Sequence, residues 1–237
     1  MAMAALQQLA VPVPAGIVAP TTTALGASKF MAFGDSITWG TLSSYDGRML
    51  YDGSPSSYAV RLQLALNTYH APQRFTVINR GVPSEAVTTD GVNRIASTLA
   101  IDQPQALLLL EGINDLAGGV PISQIVAALQ RVIDASLQRN IPVLIATMFQ
   151  TYETTNPENG HERDNAAGLV PEFNARIRQL AASRQNVTLV DLEVVFGSNR
   201  ALLGGDGLHP TEAGYDRMAS AFLTAIERAF PIRGSFQ

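Results

Sequence analysis

Cysteine is absent from all 237 residues. That excludes disulfides, thiolate nucleophiles and Cys-ligated zinc or iron–sulfur centres, and it leaves the redox compartment open. Histidine is scarce, with only His70, His161 and His209. A His-rich metal site is not built from so few, and any imidazole base must be one of these three. Charge is thin as well, at 15% of residues, against about a quarter in an ordinary soluble domain. The formal net charge is −4 and no Lys/Arg-rich run occurs. The electrostatic footprint of a nucleic-acid partner is therefore missing. An uninterrupted hydrophobic run long enough to span a membrane is also missing. Residues 1–28 carry no charge, but Pro12, Pro14 and Pro20 break the stretch and Thr21-Thr22-Thr23 follows. No transmembrane helix fits there. No basic n-region precedes it, so it is not an intact signal peptide. Residues 1–28 read as a flexible N-terminal leader. They point to a secreted or periplasmic protein whose signal peptide is not in this sequence.

What is present is 46% hydrophobic residues, enough for one sizeable core over residues 29–237. Short apolar runs alternate with amphipathic stretches. Strands are predicted at 29–34, 75–79, 105–110, 141–148 and 187–190. Helices are predicted at 57–69 and 88–99. Another is marked by Ile122, Ile125, Val126, Leu129, Val132, Ile133 and Leu137, with Pro121 in its first turn. Leu169 to Leu180 and Tyr215 to Ile226 carry two more, the last with Thr211 as N-cap. This alternation predicts βαβ units and a five-stranded parallel sheet. The continuous apolar run Gln105–Leu110 predicts a sheet covered on both faces. Residues 43–56 and 149–168 read as loops longer than connection requires, a length that often marks lids or binding loops.

Ligands of open α/β sheets bind at the carboxyl ends of the strands. The first strand ends in Gly34-Asp35-Ser36, the second in Asn79-Arg80-Gly81, and the third in Glu111-Gly112-Ile113-Asn114-Asp115. The loop before the last helix is Asp206-Gly207-Leu208-His209-Pro210. All four segments reach one edge. Together they supply what acyl transfer needs. A serine must give its proton to a positioned base. Histidine titrates near working pH, and its second ring nitrogen needs an acceptor. Asp206, three residues before His209, supplies that acceptor within one turn. The tetrahedral oxyanion needs preorganised donors, and the Ser36 amide, the Gly81 amide and the Asn114 side chain are three candidates. Each motif alone is ordinary turn or cap chemistry. Their order at successive strand ends is what carries the reading.

Those blocks resemble the SGNH or GDSL hydrolase family. The matching residues are Phe33-Gly34-Asp35-Ser36-Ile37-Thr38, Gly81, Gly112-Ile113-Asn114-Asp115 and Asp206-Gly207-Leu208-His209-Pro210, and the likeness spans roughly residues 29–230. Ile37 stands where the family's nickname has Leu. The resemblance implies a flavodoxin-like three-layer α/β/α sandwich with an open active site. It implies Ser36, Asp206 and His209 as the triad, and Ser36, Gly81 and Asn114 as the oxyanion hole. It implies no metal and no organic cofactor. The α/β-hydrolase elbow Gly-x-Ser-x-Gly does not fit, because Thr38 occupies the second glycine position.

The expected function is a serine esterase acting on carboxylic esters with small or short acyl chains. A carbohydrate O-acetylesterase is the alternative. Trp39, Tyr45, Tyr51, Tyr152 and His161 are candidate substrate-lining residues. A non-catalytic ester- or glycan-binding domain on this fold would be expected to lack a triad member, and none is lacking. Asp35 and Asp115 are expected to brace their loops, Glu111 to be buried with a partner, and His70 to lie on the surface.

Overall fold

The computed structural model describes residues 24–43, 49–50, 55–152 and 164–232. Five parallel strands form one sheet: β1 (Lys29–Gly34), β4 (Thr76–Gly81), β5 (Ala106–Leu110), β6 (Val143–Ala146) and β7 (Val187–Val190). Their order across the sheet is β4-β1-β5-β6-β7. The chain therefore leaves β1 toward one edge, returns, and continues from β5 toward the other. The reversal lies between β1 and β5, the place at whose carboxyl ends open α/β sheets bind ligands. A separate two-stranded ribbon pairs β2 (Leu42–Ser43) with β3 (Met49–Leu50).

Helices cover both faces. α2 (Tyr58–Tyr69) and α8 (Glu212–Ala229) pack together on one side, and α3 (Val92–Asp102), α5 (Ile122–Leu137) and α6 (Asp164–Ala182) pack on the other. All five residues of β5 are buried, as a strand sandwiched between two helical layers requires. On α5, Ile125, Ala128, Leu129, Val132, Ile133 and Ser136 are buried, the stripe that a 3.6-residue period produces. Thr211 caps α8, its hydroxyl accepting the Gly214 N–H at 3.3 Å. The expected α/β/α sandwich with five parallel strands is what the chain adopts.

Three features differ from the sequence expectation. Residues 149–168 are not loop throughout, because α6 begins at Asp164. The helical signal is masked by Gly168 and by Pro171, which sits inside the helix. Proline removes the bond to the carbonyl four residues back, and the freed Ala167 carbonyl accepts instead from the Gln150 side-chain amide at 3.0 Å. His70 is buried and not on the surface. It ends α2, lies against the Phe75 ring, and its Nε2 is 3.0 Å from Glu227 Oε1 on α8. Residues 24–28, assigned to the leader, run along the body of the domain. Leu25 and Ala27 are buried, and Leu25 exchanges two hydrogen bonds with the Gln73 side chain.

Candidate active site

β1 delivers the nucleophile candidate. The strand ends at Gly34, and α1 (Ser36–Trp39) begins at once, capped by Asp35, whose Oδ1 accepts the Ile37 N–H at 2.8 Å. Ser36 stands at the first helical position, where no intrahelical acceptor exists for its N–H. Its hydroxyl Oγ lies 2.8 Å from His209 Nε2.

The histidine arrives on a closed loop. Leu203 and Pro210 form an antiparallel bridge, and Gly204 N–H bonds the His209 carbonyl at 2.9 Å. Gly207 turns the loop at φ +68°, and a Cβ there would meet the Tyr152 carbonyl oxygen at 2.2 Å, so only glycine fits. Within the loop Asp206 Oδ1 accepts the Leu208 and His209 amides at 3.1 and 3.0 Å. Asp206 Oδ2 lies 2.5 Å from His209 Nδ1. A carboxylate only accepts, so Nδ1 carries the proton and Nε2 presents its lone pair to Ser36. Burial alone would raise the Asp206 pKa. The His209 hydrogen bond and charge, with the two amides, overcome it and hold the carboxyl below its usual range.

The remaining two blocks also meet here. Gly81 packs directly on the nucleophile turn: a Cβ would stand 2.1 Å from Trp39 N. Its own N–H is donated to Asn79 Oδ1 at 2.9 Å, and Asn79 Nδ2 donates to the Thr38 and Trp39 carbonyls at 2.9 and 3.2 Å. Asn114 lies in α4 (Ile113–Ala117) and gives one side-chain N–H to the Glu85 carbonyl at 2.8 Å. An amide nitrogen has two such hydrogens, so the second remains for a ligand.

Behind Ser36 the structure collects carboxylates. Asp35, Glu85, Glu111 and Asp115 are all buried. Asp115 accepts from the Val87 and Thr88 amides and the Thr88 hydroxyl. Burial, with Glu85 and Asp115 nearby, pushes Asp35 up to about 7 despite the Ile37 amide. Burial and the charges of Asp35 and Glu85 push Glu111 well above its usual range. Glu85 is paired with Arg94. Sequence reasoning placed Asn79 at the strand end without a role and missed Glu85 and Arg94. Glu85 and Arg94 are nine residues apart across the irregular turn Val87–Gly91, so no helical spacing betrays the pair.

The Asp35 shift sets a sign for stability. Its folded pKa of about 7 exceeds the unfolded 3.8, so folding takes up a proton between those values. This group's contribution falls as pH rises from about 4 to about 7 and is flat above. Asparagine keeps the cap acceptor without the charge. Thermal melts of wild type and Asp35→Asn should therefore diverge as pH rises from about 4 to about 7, the variant gaining on wild type. Parallel curves would contradict the assignment.

Of the substrate-lining candidates, Trp39 is 40% exposed at the end of α1. Tyr152 lies beside the Asp206 loop, its N–H bonded to the Gly207 carbonyl at 2.9 Å, with the Arg200 guanidinium 4.1 Å above its ring. Tyr45, Tyr51 and His161 lie outside the described residues, as does most of the loop 43–56.

The sequence matches the GDSL-like lipase/acylhydrolase family over residues 32–217. The chain belongs to that family. This GDSL member is 29% identical over 128 residues to a multidomain esterase of Ruminococcus flavefaciens. That match covers 52% of the chain, which spans only 16% of that relative's length. An aryl esterase of M. smegmatis superposes with a TM-score of 0.74 at 20% identity, covering 86% of this chain and all of the other. A carbohydrate acetylesterase of Sinorhizobium meliloti gives 0.74 at 16% identity over the same shares. An acetyl xylan esterase gives 0.63 at 22%, covering 83% and 98%. At such identities the GDSL chain and these structures share a fold.

Proposed function

We propose that the chain is a serine esterase hydrolysing carboxylic esters of small or short acyl groups through an acyl-Ser36 intermediate. The observation that carries this reading is the hydrogen-bonded line from Ser36 Oγ through His209 to Asp206, at 2.8 and 2.5 Å. His209 Nε2 takes the hydroxyl proton as Oγ attacks the ester carbonyl carbon. The resulting oxyanion is met by the Ser36 amide and the second Asn114 N–H. The Gly81 amide, held by Asn79, would have to be shared to act as a third donor. The imidazolium, stabilised by Asp206, then returns its proton to the leaving alkoxide, and the alcohol departs. Water deacylates Ser36 by the same route in reverse, giving the carboxylic acid.

A small acyl group is supported by the pocket beside Asn114 and Asp206, walled by Ile113, Ala117, Tyr152 and Leu208. Its volume is about 10 Å³, room for about one water at most. Trp39 and Val82, 40% and 42% exposed, follow Ser36 and Gly81 closely in the chain and offer apolar surface that would suit an aryl or alkyl leaving group. The test is turnover of nitrophenyl esters of increasing chain length beside acetate release from acetylated xylan. Acetyl esters should be turned over fastest. Inactivity on every ester would refute the reading, and a clear preference for the polysaccharide would move the substrate to a carbohydrate O-acetyl ester.

Asn114→Ala should lower kcat about 10²–10³-fold with little change in KM, the cost of one oxyanion donor. A near-wild-type kcat, read with nitrophenyl acetate, would remove Asn114 from the hole.

A further inference from the structure

One ion pair beneath the hole takes no part in the proton transfers. Glu85 is 3% exposed and bonds Arg94 through both carboxylate oxygens, Nε–Oε2 at 2.5 Å and Nη2–Oε1 at 2.7 Å. The same Nη2 donates to the Arg80 carbonyl at 2.9 Å and to the Gly34 carbonyl at 3.3 Å. The guanidinium lies 3.7 Å above the centre of the Phe33 ring. Glu85 in turn offers its own carbonyl to Asn114 Nδ2 at 2.8 Å.

These contacts converge on three segments. Gly34 closes β1 two residues before Ser36. Arg80 immediately precedes Gly81. The Glu85 carbonyl fixes the amide plane of Asn114, and therefore the direction of its second N–H. Each segment carries one candidate oxyanion donor; the Arg94 side chain bonds two of them directly and reaches the third through Glu85, whose backbone carbonyl holds Asn114. Net stability is a poor reason for such a pair, because the desolvation of the buried Glu85 and the largely covered Arg94 offsets their attraction. A rigid planar fork held in a low-dielectric interior does serve another end: it keeps donors aimed before the reaction begins.

We propose that the Arg94–Glu85 ion pair is the positioning element of the oxyanion hole, holding the Asn114 amide and the ends of β1 and β4 in the geometry that receives the developing charge. The proposal rests on the acyl-Ser36 reading. It makes the pair act through Asn114 and the strand ends, without touching substrate.

Arg94→Lys keeps a buried cation but loses the fork. Glu85→Gln keeps the shape and the backbone carbonyl but loses the charge. Each is made in the wild-type chain and in Asn114→Ala, with kcat and KM read on nitrophenyl acetate and folding by circular dichroism. In the wild-type chain each substitution should lower kcat about 10-fold or more with KM within about 2-fold. In the Asn114→Ala chain the same substitutions should cost clearly less, because one of the donors they aim is already gone. A folded variant with wild-type kcat, or one with equal losses in both backgrounds, overturns the proposal. If one variant unfolds, the other decides; if both unfold, the pair is structural and the proposal fails. Wild-type kcat in Asn114→Ala, or activity in Ser36→Ala, would instead overturn the underlying reading.

Discussion

Replacing Ser36 with alanine is expected to lower kcat for nitrophenyl acetate by about 10³-fold or more, to the background of water attack assisted by the remaining donors. The substitution removes one oxygen, the atom 2.8 Å from His209 Nε2. The cap that shapes the turn survives, because Asp35 Oδ1 bonds Ile37 and not Ser36. Ser36 is also nearly enclosed, at 8% exposure, and alanine fits the same space. Stability should therefore change by no more than about 1–3 kcal/mol, the cost of leaving the buried His209 Nε2 without its partner. A melt near wild type with activity lost would separate chemistry from folding. Activity within about 10-fold of wild type would exclude Ser36 as nucleophile.

Asp206→Asn should cost about 10⁴-fold in kcat, although the two side chains have nearly the same shape. In the native loop one carboxylate oxygen accepts from two backbone amides and the other from His209 Nδ1. Asparagine has one acceptor and one donor end. If its oxygen stays with the Leu208 and His209 amides, its NH₂ faces Nδ1 and forces the proton onto Nε2. Nε2 then cannot take the Ser36 proton. If the amide flips, its NH₂ meets two backbone N–H groups and leaves them unsatisfied, at about 1–3 kcal/mol each. The first outcome disables the base, and the second keeps it only at that cost to the loop, so the first should dominate. The variant should also lose an acid-sensitive share of stability. Asp206 has a folded pKa below its unfolded one, so its contribution is present above the unfolded value and is lost as pH falls through the folded value. Wild-type kcat in Asp206→Asn would reassign the acid.

Much of this arrangement was legible in the sequence because the sheet is parallel and buried. Strands such as Ala106–Leu110 announce themselves by unbroken apolar runs, and polar residues just beyond them must lie at one edge. The short elements were not legible. α1, α4 and α7 (Leu192–Phe196) span four or five residues each, too few for a helical period to show. The start of α6 was hidden by Pro171, whose missing bond is made good by Gln150 from a distant segment. His70 read as a surface residue because its partner, Glu227, is 157 residues away. Of the charges beneath the site, Asp35, Glu111 and Asp115 were expected as bracing or buried groups, but the Glu85–Arg94 pair, set across the irregular turn Val87–Gly91, was not. Gly81 also does more than offer its amide: a Cβ there would stand 2.1 Å from Trp39 N, so glycine lets the end of β4 pack on the α1 turn.

The central claim, that His209 activates Ser36 for covalent attack, is tested most directly by a fluorophosphonate probe with peptide mass spectrometry. Attack by Oγ on phosphorus expels fluoride and leaves a stable adduct. The account predicts one adduct, on Ser36, formed at a rate that collapses in His209→Ala. No adduct, an adduct on another residue, or an undiminished rate in His209→Ala would contradict it.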